Sequence, residues 1–375
     1  MRALCIHAGP TARRQIEKNG LQPGAIGTIP GAAGGPKGLI LGPLDRFIFG
    51  HWLAQTAQPV HLVGASIGAW RMATACLKDP VAAFQRLEHD YIHQHYALQA
   101  GEKRPPAARV SALFGQNLRA FYGGRVAEVL THPRYKLHVV TAHGRQLLGR
   151  EQRWRTPIGY AGAFLSNAVH RKAMGAWLER VVFSTPQAAL PFATGDYRTR
   201  QVPLSEDNFH SALQASCSIP FLLQAVHNIP GAPAGAYWDG GITDYHLHLN
   251  YAGVQGTTEL VAYDACSTGP SALKGLVLYP HFQKSVVPGW FDKRLTWRHH
   301  ATSFLDNMVL LAPNPEWVKS LPNGKLPDRT DFSHYGADLA GRVKAWSRAS
   351  AASMQLADEF AAWLQRPDLA QVRAL

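Results

Sequence analysis

The sequence is poor in cysteine, and its four cysteines lie far apart along 375 residues. Because Cys5, Cys76, Cys217 and Cys266 form no CxxC pair, neither a disulfide framework nor a zinc site is expected. No run approaches the roughly 18 apolar residues of a membrane-spanning helix. Polar and charged residues recur from Thr11 onward, which does not fit the apolar core of a signal peptide. These features predict a cytoplasmic protein.

Acidic residues are few compared with basic ones. The chain has 38 lysines and arginines against 25 aspartates and glutamates, a formal net charge of +13. Such an excess favours anionic partners, either nucleic acid or an acidic membrane surface, unless it is only a solvated basic surface. Hydrophobic residues make up 46% of the chain, so a sizeable buried core is expected.

Short apolar runs alternate with helical patterns near the beginning of the chain. Residues 25–31 and 60–63 are predicted strands, and each is followed by a glycine-containing loop and a helix. Two such units in succession predict an α/β fold with a parallel sheet. Later strand candidates are residues 135–142, 178–184, 260–263 and 276–279.

The last hundred residues show fewer regular patterns. Prolines are scattered through 280–330, which predicts a long irregular segment. Apolar residues at helical spacing over 349–363 predict an amphipathic helix. We therefore expect residues 1–375 to form a single domain, with 276–375 as an irregular and helical extension packed on it.

The pentapeptide Gly64-Ala65-Ser66-Ile67-Gly68 has the G-x-S-x-G pattern of a nucleophile elbow. In such an elbow a serine lies on a sharp turn between a strand and a helix, where the helix N-terminus favours negative charge. The pattern alone is weak, but an apolar run precedes it and a helical segment follows it, as the elbow requires.

Two further motifs are rich in glycine. The loop GAAGGPKG at 31–38 lies between a predicted strand and a predicted helix. It fits an oxyanion loop, a nucleotide loop or a simple tight turn, but not a Walker loop, because Lys37 is followed by Gly38. The tripeptide Asp239-Gly240-Gly241 follows an apolar stretch, and by itself it predicts only a turn.

In combination, the three motifs resemble the signature of patatin-like phospholipases. The loop of that family usually reads G-G-G-x-[KR]-G, and residues 33–38 here read AGGPKG, with alanine at the first glycine. Ser66 matches the family's nucleophile and Asp239 the aspartate of its catalytic dyad. Residues 215–221 (ASCSIPF) look like a further family segment, and the resemblance covers about residues 25–245.

The resemblance implies a three-layer α/β/α fold with a mainly parallel central sheet. It implies a lipid acyl hydrolase, similar to phospholipase A or lysophospholipase, that forms an acyl-enzyme on Ser66 with Asp239 as base and needs no metal or cofactor. The implied oxyanion donors are the backbone N–H groups of Gly34, Gly35 and Ile67. The implied supporting residues are Lys37, Gly38, Gly64, Gly68, Gly240 and Gly241. The substrate would be a phospholipid or another lipid ester.

Two other interpretations stay open. The first is an α/β-hydrolase esterase with a Ser–Asp–His triad, although only two strand candidates precede Ser66 where that fold usually has more. The second is a non-catalytic membrane-binding protein on the same fold. His246 and His248 alternate after the DGG motif and would share one face of a strand, so both are candidates for facing the dyad.

Some patterns allow a binding role as well as a structural one. His89 and His93 are spaced for a metal, but a polar helix face explains them better. Aromatic and basic residues mix over 279–298, which fits either peripheral contact with an anionic membrane or packing on the core. Residues 145–180 are a candidate lid or cap. No nucleic-acid motif is present, so no nucleic-acid partner is expected.

Overall fold

A computed structural model of the protein describes residues 1–99, 101–102, 104–253 and 275–375. The strands are β1 (Leu4–Ala8), β2 (Ile26–Gly31), β3 (Val60–Ala65), β4 (Tyr135–Gly144), β5 (Leu178–Ser184), β6 (Thr199–Pro203), β7 (Val226–His227), β8 (Ala236–Asp239), β9 (Leu276–Pro280), β10 (Met308–Pro313) and β11 (Val372–Ala374). The α-helices are α1 (Pro10–Asn19), α2 (Gly42–Phe47), α3 (Ile67–Ala75), α4 (Pro80–His93), α5 (Ala107–Tyr122), α6 (Val126–Leu130), α7 (Arg155–Val169), α8 (Glu206–Ser216), α9 (Pro315–Lys319), α10 (Thr330–Tyr335), α11 (Leu339–Ala352) and α12 (Met354–Gln365). The strand candidate at 260–263 lies outside the described residues.

The strands form one central sheet in the order β11-β1-β10-β9-β2-β3-β4-β5-β6, and β8 pairs with β4. Its middle, from β10 through β9, β2 and β3 to β4, is parallel throughout. Antiparallel pairs occur between β1 and β10, and where β4 meets β5 and β8. Helices flank the sheet, so the predicted α/β fold with a mainly parallel sheet is confirmed.

The central strands are apolar along nearly their whole length because both of their faces are covered. In β9 and β10 every residue is buried, and in β2 and β3 only the second residue is partly exposed. This is the pattern expected of parallel strands packed between two helical layers. None of the helices that the structure describes is both long enough and apolar enough to cross a lipid bilayer.

The expectation for residues 276–375 differs from the structure. This segment is not only an irregular and helical extension, because β9 and β10 occupy the middle of the sheet, between β1 and β2. Two short apolar runs, LVLYP and MVLLAP, lie in this proline-containing region and form these strands. Only the first of them was predicted to be a strand. The predicted helix over 349–363 is likewise two helices, α11 and α12, which meet at Ser353.

The register on β4 determines which chain segments meet at the carboxyl end of β3. Val140 of β4 pairs with Ala65, the last residue of β3, and the next residue, Thr141, pairs with Asp239, the last residue of β8. Strand β8 therefore lies beside β4 just beyond the end of β3. The carboxyl ends of parallel strands are the usual location of ligand sites in open α/β sheets.

Candidate active site

Ser66 lies on the turn between β3 and α3. Its backbone has φ 57° and ψ −130°, a conformation that a residue with a side chain rarely adopts. The turn depends on a close approach of α3 to β2, because a Cβ atom on Gly68 would lie 1.8 Å from the carbonyl oxygen of Gly31. These are the features expected of a nucleophile elbow.

The side chains of Ser66 and Asp239 are in direct contact. The Ser66 hydroxyl donates to Asp239 Oδ2 at 2.6 Å, although 173 residues separate the two positions. The other carboxylate oxygen, Oδ1, accepts the backbone N–H of Gly241 at 2.7 Å, which fixes the orientation of the carboxylate. Ser66 is 4% exposed and Asp239 5%, so the pair is almost completely shielded from solvent.

A serine on α8, Ser216, holds the backbone of this turn in place by hydrogen bonds. The backbone N–H of Ser66 donates to Ser216 Oγ at 3.0 Å, and the Ser216 hydroxyl donates to the carbonyl of Val140 at 2.7 Å. Two residues later, the carbonyl of Ser218 accepts the N–H of Asp239 at 2.9 Å. The segment 215–221 thus contacts the backbone of both residues, a role that nothing in the sequence indicates beyond the family resemblance.

The glycine-rich loop lies next to the elbow and leads into a short 3₁₀-helix, Gly35–Leu41. Gly35 has φ 58°, which favours glycine, and a Cβ atom on Gly34 would lie 2.5 Å from the ring of Phe282. Gly35 and Ile67 are the first residues of their helices, so their N–H groups have no intrahelical acceptor. Unpaired N–H groups on the elbow and on the loop that packs against it are suited to stabilising an oxyanion.

The remaining residues of the motifs pack closely around the pair. A bond from the N–H of Ala33 to the carbonyl of Tyr245 joins the loop to the segment after the DGG turn. Four glycines of these motifs leave little room for a side chain. A Cβ atom on Gly38 would lie 3.3 Å from Ile67, and one on Gly64 would lie 2.3 Å from Ala69. A Cβ atom on Gly240 would lie 2.1 Å from the Val140 carbonyl, and one on Gly241 would lie 2.6 Å from Ala33. The Lys37 ammonium lies 5.4 Å from the centre of the Phe282 ring, and burial lowers its pKa.

Burial and the neighbouring groups act on the pKa of Asp239 in opposite directions. Burial raises the pKa of this carboxyl above its ordinary value. The hydrogen bond from Ser66, the charge of Arg329, the N–H of Gly241 and the charge of Lys293 all act in the opposite direction and favour the carboxylate. A desolvated carboxylate is a stronger base than a solvated one, which suits it to accepting a proton from the serine that it contacts.

Residues 33–246 match the family model described as Patatin-like phospholipase. The chain belongs to this family. A search of curated proteins found no significant match. The family is one of lipid acyl hydrolases, and the matched region includes both Ser66 and Asp239.

The contact between Ser66 and Asp239 in this patatin-like protein involves no histidine. Of the histidines in the chain, all lie within the described residues, and none hydrogen bonds to Ser66 or Asp239. His246 Nδ1 lies 3.1 Å from the Val287 nitrogen. His248 Nε2 lies 2.9 Å from Thr302 Oγ1, and burial lowers the pKa of this histidine to about 4. Both are therefore held by other partners.

Other candidate sites have structural explanations. His89 and His93 lie on the exposed face of α4, and the described part of the chain contains no group of three or more potential metal ligands. In the stretch 279–298, Phe282, Val286 and Val287 are buried in the core, and Trp297 is the large apolar side chain that is exposed.

Two cations near the Ser66–Asp239 pair lie outside the motifs of the sequence. Lys293 and Arg329 line a pocket together with Asp239, Gly241 and Tyr245. Lys293 belongs to the mixed stretch 279–298, but neither it nor Arg329 is part of a family motif, and only the fold brings the two residues to the pocket.

Proposed function

We propose that this protein is a lipid acyl hydrolase of the phospholipase A or lysophospholipase type, with Ser66 as nucleophile and Asp239 as its base. The observation that carries the proposal is the 2.6 Å hydrogen bond from the Ser66 hydroxyl to a buried carboxylate. An activated nucleophile needs a base within hydrogen-bond reach, and Asp239 meets that condition.

In the proposed reaction, Asp239 accepts the hydroxyl proton of Ser66 while the serine oxygen attacks the carbonyl carbon of the ester. The ester bond then breaks, the alcohol leaves with the proton from Asp239, and the acyl group stays on Ser66. Asp239 next takes a proton from water, whose oxygen attacks the acyl-enzyme. The bond between the acyl carbon and the Ser66 oxygen then breaks, Asp239 returns its proton to that oxygen, and the free acid leaves.

Negative charge develops on the carbonyl oxygen in both steps. We assign its stabilisation to the N–H groups of Gly34, Gly35 and Ile67. They lie on backbone held in place by tight packing, so little reorganisation is needed when the charge appears. This arrangement compensates for the modest basicity of a carboxylate.

The proposal is tested by two substitutions assayed on a short-chain aryl ester. Ser66→Ala should abolish hydrolysis and labelling by a fluorophosphonate probe, and Asp239→Asn should lower the rate by about 10²–10⁴ while keeping the shape of the side chain. Both variants should keep the circular dichroism spectrum of the wild type.

Single replacement of His246, His248, His299, His300 or His334 by alanine is the control for a triad, and each should cost far less. If one of them silenced the folded enzyme as fully as Ser66→Ala, with Asp239→Asn mild, the dyad would be wrong. If the wild type were neither labelled nor active, the non-catalytic alternative would replace it.

We further propose that residues 1–375 act as one domain that meets its lipid substrate at an anionic membrane. Support comes from α7, whose exposed side carries apolar residues and whose buried Tyr160 contacts Phe221 and Phe291. Phe221 directly follows Pro220, which lines the pocket beside Asp239, so the exposed apolar surface borders the entrance to the dyad.

A further inference from the structure

Lys293 and Arg329 are the two cationic side chains that line the pocket beside Asp239, where Lys293 is exposed and Arg329 is partly buried. By contrast, the buried arginines Arg71 and Arg180 are paired, with Asp45 at 2.7 Å and with Asp244 at 2.6 Å. Within the residues that the structure describes, neither Lys293 nor Arg329 forms an ion pair or a side-chain hydrogen bond. Two cations and one carboxylate, that of Asp239, line the pocket, so its positive charge is only partly offset.

Each of the two cations lies close to a different motif of the site. The Lys293 ammonium lies 3.9 Å from the centre of the Tyr245 ring, and that ring lies 3.3 Å from the position of a Cβ atom on Gly241, next to Asp239. Arg329 Nε lies 3.4 Å from the position of a Cβ atom on Gly35, in the glycine-rich loop. One cation is thus beside the proposed base and the other beside the proposed oxyanion donors.

These positive charges repel one another. The pKa of Lys293 is lowered to about 8, first by burial and then by the charges of Arg329 and Lys37. Asp239 is the one carboxylate that lines this pocket among the described residues, and it is already bonded to Ser66 and Gly241. An anion in the pocket would relieve the repulsion, whereas a neutral ligand would not.

We infer that Lys293 and Arg329 form an anion-binding subsite that holds the phosphate of a lipid headgroup while the neighbouring ester lies on Ser66. This inference rests on the proposed hydrolase function. It fits the chemistry of a glycerophospholipid, in which only a few bonds separate the phosphate from the nearest acyl ester. The guanidinium of Arg329 presents paired donors suited to a phosphate, and the ammonium of Lys293 adds a point charge.

The test compares two substrates that differ only in the phosphate. A diacylglycerol 3-phosphate and the diacylglycerol with the same acyl chains are presented in the same neutral detergent micelles, and the ratio of their kcat/KM values is measured. The wild type should favour the phosphate ester. Arg329→Gln and Lys293→Gln should each lower that ratio about tenfold, as expected for loss of one charge-assisted hydrogen bond, and the double variant should lower it further.

Two controls separate the subsite from general charge and from folding. Lys18→Gln removes one exposed positive charge from α1, far along the sheet from the dyad, and should leave the ratio unchanged. Arg329→Lys keeps the charge but not the paired donors, and should retain part of the preference that Arg329→Gln loses.

A second measurement does not depend on turnover. Inorganic phosphate should bind to Ser66→Ala protein in a calorimetric titration, and the added Arg329→Gln substitution should weaken that binding. If phosphate bound in an Arg329-dependent manner but the lipid ratio did not change, the subsite would take free phosphate and the headgroup assignment would be wrong.

The remaining outcomes distinguish the two proposals. If the wild type hydrolysed both lipids equally and no substitution changed the ratio, the subsite would be rejected while the hydrolase stood. If neither lipid nor the aryl ester were hydrolysed, the proposed function would fail, and the phosphate titration would still decide whether the two cations bind an anion.

Discussion

Ser66 is held in a backbone conformation that would be unfavourable elsewhere in the chain. A non-glycine residue with φ 57° and ψ −130° costs about 1–3 kcal/mol, which surrounding contacts must offset. The hydrogen bond from the Ser66 N–H to Ser216 Oγ is one such contact. The consequence is that the hydroxyl points away from the chain and toward Asp239.

The pKa of Asp239 gives the first prediction at this scale. Burial raises that pKa, and a protonated Asp239 cannot accept the proton of Ser66. As pH falls through the raised pKa the base is lost, so kcat/KM on a neutral ester should decline with an apparent pKa above the ordinary value of about 4. The measurement is a pH–rate profile between pH 4 and 9.

The same profile of Arg329→Gln tests the cause. The charges of Arg329 and Lys293 hold the Asp239 pKa down, so removing the Arg329 charge should move the acid limb to higher pH. Arg329→Lys should move it less, because the positive charge remains. Superimposable acid limbs for all three proteins would contradict this electrostatic assignment.

The residues of the site differed in how well the sequence revealed them. Ser66 and Asp239 stand in short motifs with local signals, and they were predicted as a pair from the family resemblance. Ser216 lies in the segment 215–221 that resembles the family, but no local pattern predicts its role, because its contact with Ser66 spans 150 residues. Lys293 and Arg329 carry no motif at all, and only tertiary packing brings them to the pocket.

At the scale of elements, the site depends on how closely α3 packs on β2. The atoms that a Gly68 Cβ would meet are backbone atoms, 1.8 Å away at the Gly31 oxygen and 2.7 Å away at the Ala32 oxygen. Backbone of a central strand cannot move aside as a flexible side chain can. The helix would therefore have to shift, and with it the elbow that precedes it.

We therefore predict that Gly68→Ala destabilises the fold by at least about 3 kcal/mol, the upper end of the usual cost of overpacking, and abolishes activity. The measurement is urea unfolding monitored by circular dichroism. Gly195→Ala is the matched control, since no atom lies within 4 Å of its Cβ position and its φ is not positive. A Gly68→Ala protein as stable as Gly195→Ala would show that the close approach is not required.

The sequence predicted well those strands whose apolar pattern is continuous along the chain. The predicted strands at 25–31, 60–63 and 178–184 agree closely with the observed strands Ile26–Gly31, Val60–Ala65 and Leu178–Ser184. Strand β10 was missed because its six apolar residues stand alone in a region rich in proline, without a helical pattern to define a unit. Its place between β1 and β9 depends on long-range pairing that no local pattern encodes.

At the scale of the whole molecule, the positive charge and the exposed apolar surface occur together beside the pocket. Trp154, Ile158, Leu165 and Val169 are between 60% and 85% exposed, at spacings of four, seven and four that place them on one side of α7. The buried residues Thr156, Gly159, Tyr160, Ala163 and Asn167 form the opposite side. A helix with this division is suited to lying in a membrane interface.

Basic side chains around this surface favour an anionic bilayer over a neutral one. The Arg153 guanidinium lies 5.6 Å from the centre of the Trp154 ring, and Arg155 and Lys172 are exposed near the two ends of α7. Each cation near an anionic surface contributes about 1 kcal/mol to binding, less at high salt. This surface is therefore a better candidate for the proposed membrane contact than the stretch 279–298, whose apolar residues are largely in the core.

The last prediction concerns this surface. Leu165→Ser removes a side chain that would bury apolar area in the bilayer, worth up to about 2 kcal/mol, so partition onto vesicles with 30% anionic lipid should fall roughly tenfold. Met354→Ser is the matched control, because Met354 is also exposed, at 47%, but lies on α12.

Co-sedimentation at low and high salt is the measurement, with hydrolysis of a water-soluble aryl ester assayed in parallel. Because Leu165 lies on the solvent side of α7, hydrolysis should persist while binding falls. Equal loss of binding in the two variants, or equal binding of the wild type to neutral and anionic vesicles, would contradict a docking surface on α7.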